Sequence, residues 1–138
     1  MKNIAIIDAG PLIALFDASD KYHQKVKEYL KKYKGYLITT IPVITEATHL
    51  LDFNIQAQLD LLKWIELGGV SIFHITEEHI KRIIKLIEKY LDRPMDFADA
   101  SLIVLAEELN INSIISVDID FYIYRLKQKK KFTNLLDI

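Results

Sequence analysis

Short, unbroken apolar runs alternate along this chain with longer stretches whose apolar residues recur every three or four positions. That alternation restricts the fold more than any other feature. The first run, Ile4-Ala5-Ile6-Ile7, has no polar face, as a strand covered on both sides requires. It reads as part of a strand from Lys2 to Asp8. Tyr36 to Thr39, Val70 to Ile75 and Ser113 to Val117 read as further strands, with Phe132 to Leu136 as a candidate fifth.

The stretches between them have helical spacing. Gly10-Pro11 opens a helix, since proline at a first helical position forfeits no hydrogen bond. Asp20 is placed to cap the next, in which Tyr22, Val26, Tyr29, Leu30 and Tyr33 share a face and which Gly35 ends. Thr40 is placed to cap a helix with Pro42 in its first turn, running to about Leu51. Another is expected from about Ile55 to Leu67, closed by Gly68-Gly69. Thr76 is expected to cap a helix with Glu77 and Glu78 at its positive end and Ile80, Ile83, Ile84, Ile87 and Leu91 along one side. After a break at Pro94, residues Phe97 to Leu109 are apolar nearly all round in their middle, which predicts burial between layers. A short helix is expected near Asp120 to Leu126. Strands alternating with helices imply an α/β/α sandwich around a central parallel sheet of four to five strands, one domain over residues 1–138.

Composition removes several classes. With 51% apolar and 27% charged residues, the chain is neither disordered nor built for a bilayer. Its apolar runs, such as Leu102 to Ala106, are far too short to span a membrane. Asp8 and Asp17 interrupt what would otherwise resemble a secretory segment. The absence of cysteine excludes disulfide scaffolds and zinc–thiolate sites and agrees with a cytoplasmic setting. A net charge of -1 does not advertise a polyanion partner, although Arg125 to Lys131 form a basic stretch. Neither G-x-G-x-x-G nor a P-loop is present, which counts against nucleotide-binding enzymes. A receiver domain would need a phospho-acceptor aspartate after the third strand, where this chain has His74-Ile75.

The carboxylates fall in a pattern. In open parallel sheets, ligands bind beyond the carboxyl ends of the strands. Asp8 ends the first strand and Asp118 the fourth, so the two meet in one crevice if those strands are neighbours. Glu46 lies early in the helix after strand two. Asp96 and Asp99 are three apart at the start of the most buried helix and share a face. Taken singly, Asp8, Asp96, Asp118 and Asp120 each stand where an aspartate caps a helix, and Glu46 reads as a solvated helix residue. Asp99 is harder to explain away, because a buried carboxylate without a partner is expensive. Converging carboxylates repel and need protons or a cation, and hard oxygen donors without cysteine suit Mg²⁺ or Mn²⁺.

Four segments in order resemble the PIN-domain family, in particular VapC-like toxins: Ile6-Ile7-Asp8-Ala9-Gly10-Pro11-Leu12-Ile13-Ala14-Leu15, Val43-Ile44-Thr45-Glu46-Ala47-Thr48, Met95-Asp96-Phe97-Ala98-Asp99-Ala100-Ser101-Leu102 and Ile115-Ser116-Val117-Asp118-Ile119-Asp120-Phe121. The resemblance covers almost the whole chain. It implies a PIN-like sandwich that binds Mg²⁺ or Mn²⁺ and cleaves single-stranded RNA. Asp8, Glu46, Asp99 and Asp118 match the family's four acidic positions, with Asp96 an accessory metal ligand, Asp120 a weaker accessory and Ser116 the small polar residue before the last acid. Members commonly carry Ser or Thr soon after the first aspartate, whereas this chain has Ala9-Gly10, so a supporting hydroxyl is missing there. A toxin of this kind is expected to meet a cognate antitoxin that obstructs the crevice, and a homodimer is implied by the resemblance alone. The rival reading is a PIN-like domain that binds RNA or protein without cutting.

The remaining candidates carry less. His23, His49, His74 and His79 are scattered. Trp64 and the seven tyrosines could stack on bases, but at helical spacing they read as packing residues. Lys127, Lys129, Lys130 and Lys131 could follow a phosphate backbone or simply form a solvated face.

Overall fold

The computed structural model describes residues 3–138; Lys2, where the first strand was expected to start, lies outside them. The strands are β1 (Ile4–Ile7), β2 (Tyr36–Thr40), β3 (Ser71–Phe73), β4 (Ser113–Ile115) and β5 (Thr133–Asn134). The helices are α1 (Ala9–Phe16), α2 (His23–Lys32), α3 (Ile41–Leu50), α4 (Ile55–Glu66), α5 (Ile80–Lys89) and α6 (Phe97–Leu109). All strand pairings are parallel, in the order β3-β2-β1-β4-β5, within a three-layer α/β/α sandwich. The chain runs outward from β1 through β2 to β3, then returns to add β4 and β5 on the other side. The sheet therefore reverses direction between β1 and β4, where Ile6 pairs with Ile114 and Ile7 with Ile115. A crevice opens at such a point, because successive crossover helices leave in opposite directions.

α6 holds the core together. Ala98 and every residue from Ala100 to Ala106 are buried, so the helix has no solvent face along that stretch. It packs on β2 and between α3 and α5. Its end is set by Asn110, which takes a left-handed conformation (φ 55°) and returns its N–H to the Ala106 carbonyl. Asparagine tolerates that geometry better than most residues, because its short polar side chain bonds locally.

Several elements depart from their sequence-based bounds. α2 starts at His23 rather than beside Asp20, whose carboxylate accepts the Tyr22 N–H (2.8 Å) and so tightens the turn before the helix. The His23 ring bonds the Ala14 carbonyl (2.7 Å) near the end of α1, so it is a structural tie between α1 and α2. Thr40 stands at the start of α3 but makes no capping bond; its hydroxyl bonds that of Ser101 (2.7 Å), joining β2 to α6 inside the core. α5 is preceded by a 3-10 turn at Glu77–His79 and ends at Lys89. Its buried residues are Ile83 and Leu86, followed by Tyr90, whereas Ile84 is half exposed and Leu91 lies outside the helix in solvent. The facing surface of α6 thus keeps Ile83 and Ile87 of the expected stripe and takes Leu86 and Tyr90 in place of Ile80, Ile84 and Leu91. The short helix expected at Asp120 to Leu126 is a 3-10 helix over Ile119–Tyr122, and β5 has two residues rather than five.

The basic stretch closes a tight loop at the far end of α6. Gln128 and Lys129 both have positive φ (62° and 60°), and Arg125 and Lys131 form an antiparallel bridge. Glu107 anchors the loop: its carboxylate accepts both Arg82 Nε (3.0 Å) and Nη2 (2.8 Å), and also the Lys127 N–H (2.8 Å). Trp64 packs against Phe16 with ring centroids 5.7 Å apart, in agreement with a packing role. Among the described residues no helix is long and apolar enough to cross a membrane.

Candidate active site

Asp8 follows β1 directly and is nine-tenths buried at the switch point. One carboxylate oxygen accepts the Ala9 N–H (2.8 Å), capping α1; the other accepts the Ser116 hydroxyl (3.0 Å). Its own N–H donates to the Ile115 carbonyl (3.1 Å), which ties the end of β1 to the end of β4. The capping and functional readings of this residue are therefore compatible, since one carboxyl has two oxygens.

Ser116 is fully buried between the two aspartates. While its Oγ donates to Asp8, it accepts the Asp118 N–H (3.0 Å). Asp118 in turn caps the 3-10 helix through the Asp120 N–H (2.9 Å). The hydroxyl support whose absence Ala9-Gly10 suggested is thus supplied by the residue just after β4. A side chain at position 10 has no room: a Cβ there would collide with the side chain of Val117, the residue between Ser116 and Asp118.

Asp96 and Asp99 arrive from the start of α6. Asp96 caps the helix by accepting the Asp99 N–H (2.8 Å) and remains exposed. Asp99 is half-buried and accepts the hydroxyl of Tyr124 (3.3 Å), a residue fully buried against Tyr90 and Phe121. Glu46 comes from the second turn of α3, with its carboxyl within hydrogen-bonding range of Asp96. Asp120, by contrast, is neutralised by Arg93 (2.9 Å), so this accessory acid is occupied in an ion pair at the rim.

The carboxyls sense one another. Burial, then Asp8, Asp96 and Asp118, push the Asp99 carboxyl from 3.8 to about 8. Burial, then Asp96 and Asp8, raise Glu46 from 4.5 to about 7. Asp8 is raised to about 6, burial outweighing its two hydrogen bonds, and Asp118 is also raised, chiefly by burial. Asp8, Asp96 and Asp118 each act on both Glu46 and Asp99, so the five acids share one electrostatic neighbourhood. Among the described residues no group of three or more His, Cys, Asp or Glu side chains is already set to hold a metal ion. The donor chemistry, carboxylate oxygen without sulfur and with protons bound above their ordinary range, fits a hard divalent cation that would relieve the repulsion.

A family profile described as PIN domain matches residues 5–127, which include all of these acids. The chain belongs to the PIN domain family. This PIN domain is 27% identical over 115 residues to Ribonuclease VapC26 of Mycobacterium tuberculosis, covering 82% of this chain and 85% of that protein. Its fold is shared with the crystal structure of Mycobacterium tuberculosis VapC20, described as a sarcin-ricin loop cleaving toxin. The TM-score there is 0.76, with 21% identity and coverage of 86% of this chain and 92% of the other.

Sequence reasoning missed three members of the site of this PIN domain. Tyr124 contacts Asp99 from the aromatic core, and Arg93 pairs with Asp120. Asn134 braces Ser116 from β5 through two hydrogen bonds, Ser116 N–H to Oδ1 (3.2 Å) and Nδ2 to the Ser116 carbonyl (2.9 Å). The signal for the last was an asparagine inside an expected strand, a residue depleted there unless its side chain has work to do. The other two carried no sequence signal.

Proposed function

We propose that this PIN domain is a divalent-metal-dependent endoribonuclease acting on single-stranded RNA in the cytoplasm, the toxin of a toxin–antitoxin pair. The observation that carries the reading is the meeting of Asp8 and Asp118 at adjoining strand ends, bridged by Ser116 and faced by Asp99 and Glu46. The relatives named above as a ribonuclease and as an RNA-cleaving toxin support the substrate class.

Asp8, Asp99 and Asp118 would hold Mg²⁺ or Mn²⁺, with Glu46 and Asp96 at an adjoining position. When bound, the ion supplies charge stabilisation at the phosphoryl and leaving oxygens. Glu46, whose proton affinity is raised to about 7, orients the attacking water and accepts its proton on the carboxylate. The water oxygen bonds to phosphorus in line as the bond from phosphorus to the ribose 3′-oxygen breaks, and the departing 3′-oxygen takes a proton from solvent, leaving a 5′-phosphate and a 3′-hydroxyl. No covalent intermediate with the chain is required. Ser116 keeps Asp8 and Asp118 turned towards the crevice, and the Asp120–Arg93 pair stands at its rim.

An antitoxin and a second copy of the chain are the protein partners of this reading. Exposed Leu50, Phe53, Ile55, Leu59 and Leu62, at the end of α3 and along α4, give such a partner apolar surface to cover. The test is cleavage of single-stranded RNA by purified protein with Mg²⁺ or Mn²⁺, stopped by EDTA, with the new ends sequenced. Asp99→Asn is expected to abolish cleavage while retaining the wild-type circular dichroism. Metal-independent cleavage, or wild-type turnover by Asp99→Asn, overturns the reading. Binding without cutting would assign the domain to recognition instead.

A further inference from the structure

We propose that Asn134, on the edge strand β5, is a positioning residue for the acidic crevice: its side-chain amide pairs with the backbone N–H and C=O of Ser116 and so fixes the hydroxyl that spans Asp8 and Asp118. This rests on the nuclease reading for its turnover measurements and on geometry alone for the rest.

The reason lies in how the sheet ends. β5 contributes two residues, and its ladder with β4 stops after Ile114 pairs with Asn134 and the Leu135 N–H reaches the Ile114 carbonyl (2.7 Å). The Ile115 carbonyl turns the other way, towards the N–H of Asp8 just beyond β1. The next backbone groups facing β5 are the N–H and C=O of Ser116, which belong to two successive peptides, and no backbone of β5 pairs with them. Buried backbone groups without partners cost their desolvation. Asn134 supplies the missing rung from its side chain, a primary amide with the same donor and acceptor as a peptide. Its Oδ1 accepts the Ser116 N–H (3.2 Å), its Nδ2 donates to the Ser116 carbonyl (2.9 Å), and Oδ1 also accepts the Leu136 N–H (3.1 Å).

The two-point pairing holds the backbone of Ser116 on both sides of its Cα. Rotation of that backbone would swing Oγ away from Asp8 Oδ2 and from the Asp118 N–H, each 3.0 Å distant. The Asp8 carboxylate and the Asp118 backbone, beyond the ends of different strands, are thus held by one hydroxyl, and the hydroxyl by one amide. Partners that orient ligands from behind typically contribute roughly 10–100-fold in metal affinity or activity.

Mn²⁺ binding by titration calorimetry and RNA turnover are measured on wild type, Asn134→Ala, Ser116→Ala and the double variant. Asn134→Ala is expected to lose about 10-fold in both Mn²⁺ affinity and kcat, at the low end of that range, with KM for RNA unchanged. The double variant is expected to lose no more than the worse single one, since both break the same link. Ile83→Val, in the core beneath α5, lowers stability without touching the crevice and is expected to bind Mn²⁺ like wild type. If Asn134→Ala does not fold, Asn134→Thr, which suits a strand but lacks the amide, is expected to show the same loss. Asn134 variants that bind Mn²⁺ and cleave like wild type, or whose losses add fully to those of Ser116→Ala, overturn the inference. Wild-type protein that binds Mn²⁺ but cuts no RNA fails the nuclease reading, and the Mn²⁺ affinities still decide the role of Asn134.

Discussion

Asp8, Glu46 and Asp99 keep their protons up to about pH 6, 7 and 8, because each is taken out of water and then faced with other carboxyls. In the unfolded chain the same groups release theirs near 3.8 for aspartate and 4.5 for glutamate. Between those ranges the folded state binds more protons, so stability falls as pH rises. Their contribution is complete below about pH 4 and is lost progressively as pH passes 6 to 8. In EDTA, the Tm is therefore expected to be higher at pH 5 than at pH 8, read by differential scanning calorimetry. Saturating Mg²⁺ is expected to raise Tm more at pH 8, since it binds the ionised set. Asp99→Asn should flatten the profile in EDTA, because it removes the carboxyl most displaced from its ordinary range. A wild-type profile without slope over that interval would contradict the crowding of these acids.

At the scale of the element, the start of α1 is fixed by what it packs against. Gly10 sits in the first turn, and a Cβ there would meet the Val117 side chain one residue before Asp118. Gly10→Ser places a hydroxyl in the first turn after Asp8, but it also overpacks this contact. It is expected to cost about 1–3 kcal/mol in urea denaturation and to lower RNA turnover by displacing Asp118. Gly10→Ala should behave alike, since volume is the cause; recovery of activity by serine alone would mean that the hydroxyl matters there. Most elements were legible in the sequence because period and end signals agreed with packing. α6 announced its burial by being apolar all round, and β1 by lacking a polar face. The stripe of α5 was legible in part: Ile83 and Ile87 do face the core, but Ile80, Ile84 and Leu91 satisfy a helical period as well as Leu86 and Tyr90 do, and only the surface of α6 chooses between them.

At the scale of the whole molecule, α6 separates the acidic crevice at its start from the lysine loop at its end. Asp99 is in its first turn and Glu107 in its last, eight residues or roughly 12 Å apart at the helical rise. The lysine loop is tied to Glu107 and so lies away from the acidic crevice. Lys129→Ala with Lys130→Ala is expected to leave RNA turnover within about two-fold, because charges screened over about 10 Å add little to substrate held elsewhere. A ten-fold loss would show that the phosphate backbone reaches this loop. Glu107→Ala is expected to destabilise by about 1–3 kcal/mol in denaturant titration, since it removes the nearly buried carboxylate that accepts Arg82 and the Lys127 N–H, while Arg82 stays exposed enough to be hydrated.

The amino-acid order alone determined the layered parallel architecture and the list of acids at strand and helix ends, because both follow from local period and from residues that start and stop elements. It could not determine that β1 and β4 are neighbours, since pairing between distant strands depends on how the crossovers pack. That adjacency brings Asp8 to Asp118 and places Ser116 between them. Nor could sequence separate the two kinds of aspartate in one motif. Among the described residues Asp118 has no cation partner, while Asp120, two residues later, pairs with Arg93 from another part of the chain and still raises the Asp118 carboxyl. Whether a carboxylate is free or paired depends on which groups meet it across space, and that is decided only when the chain has folded.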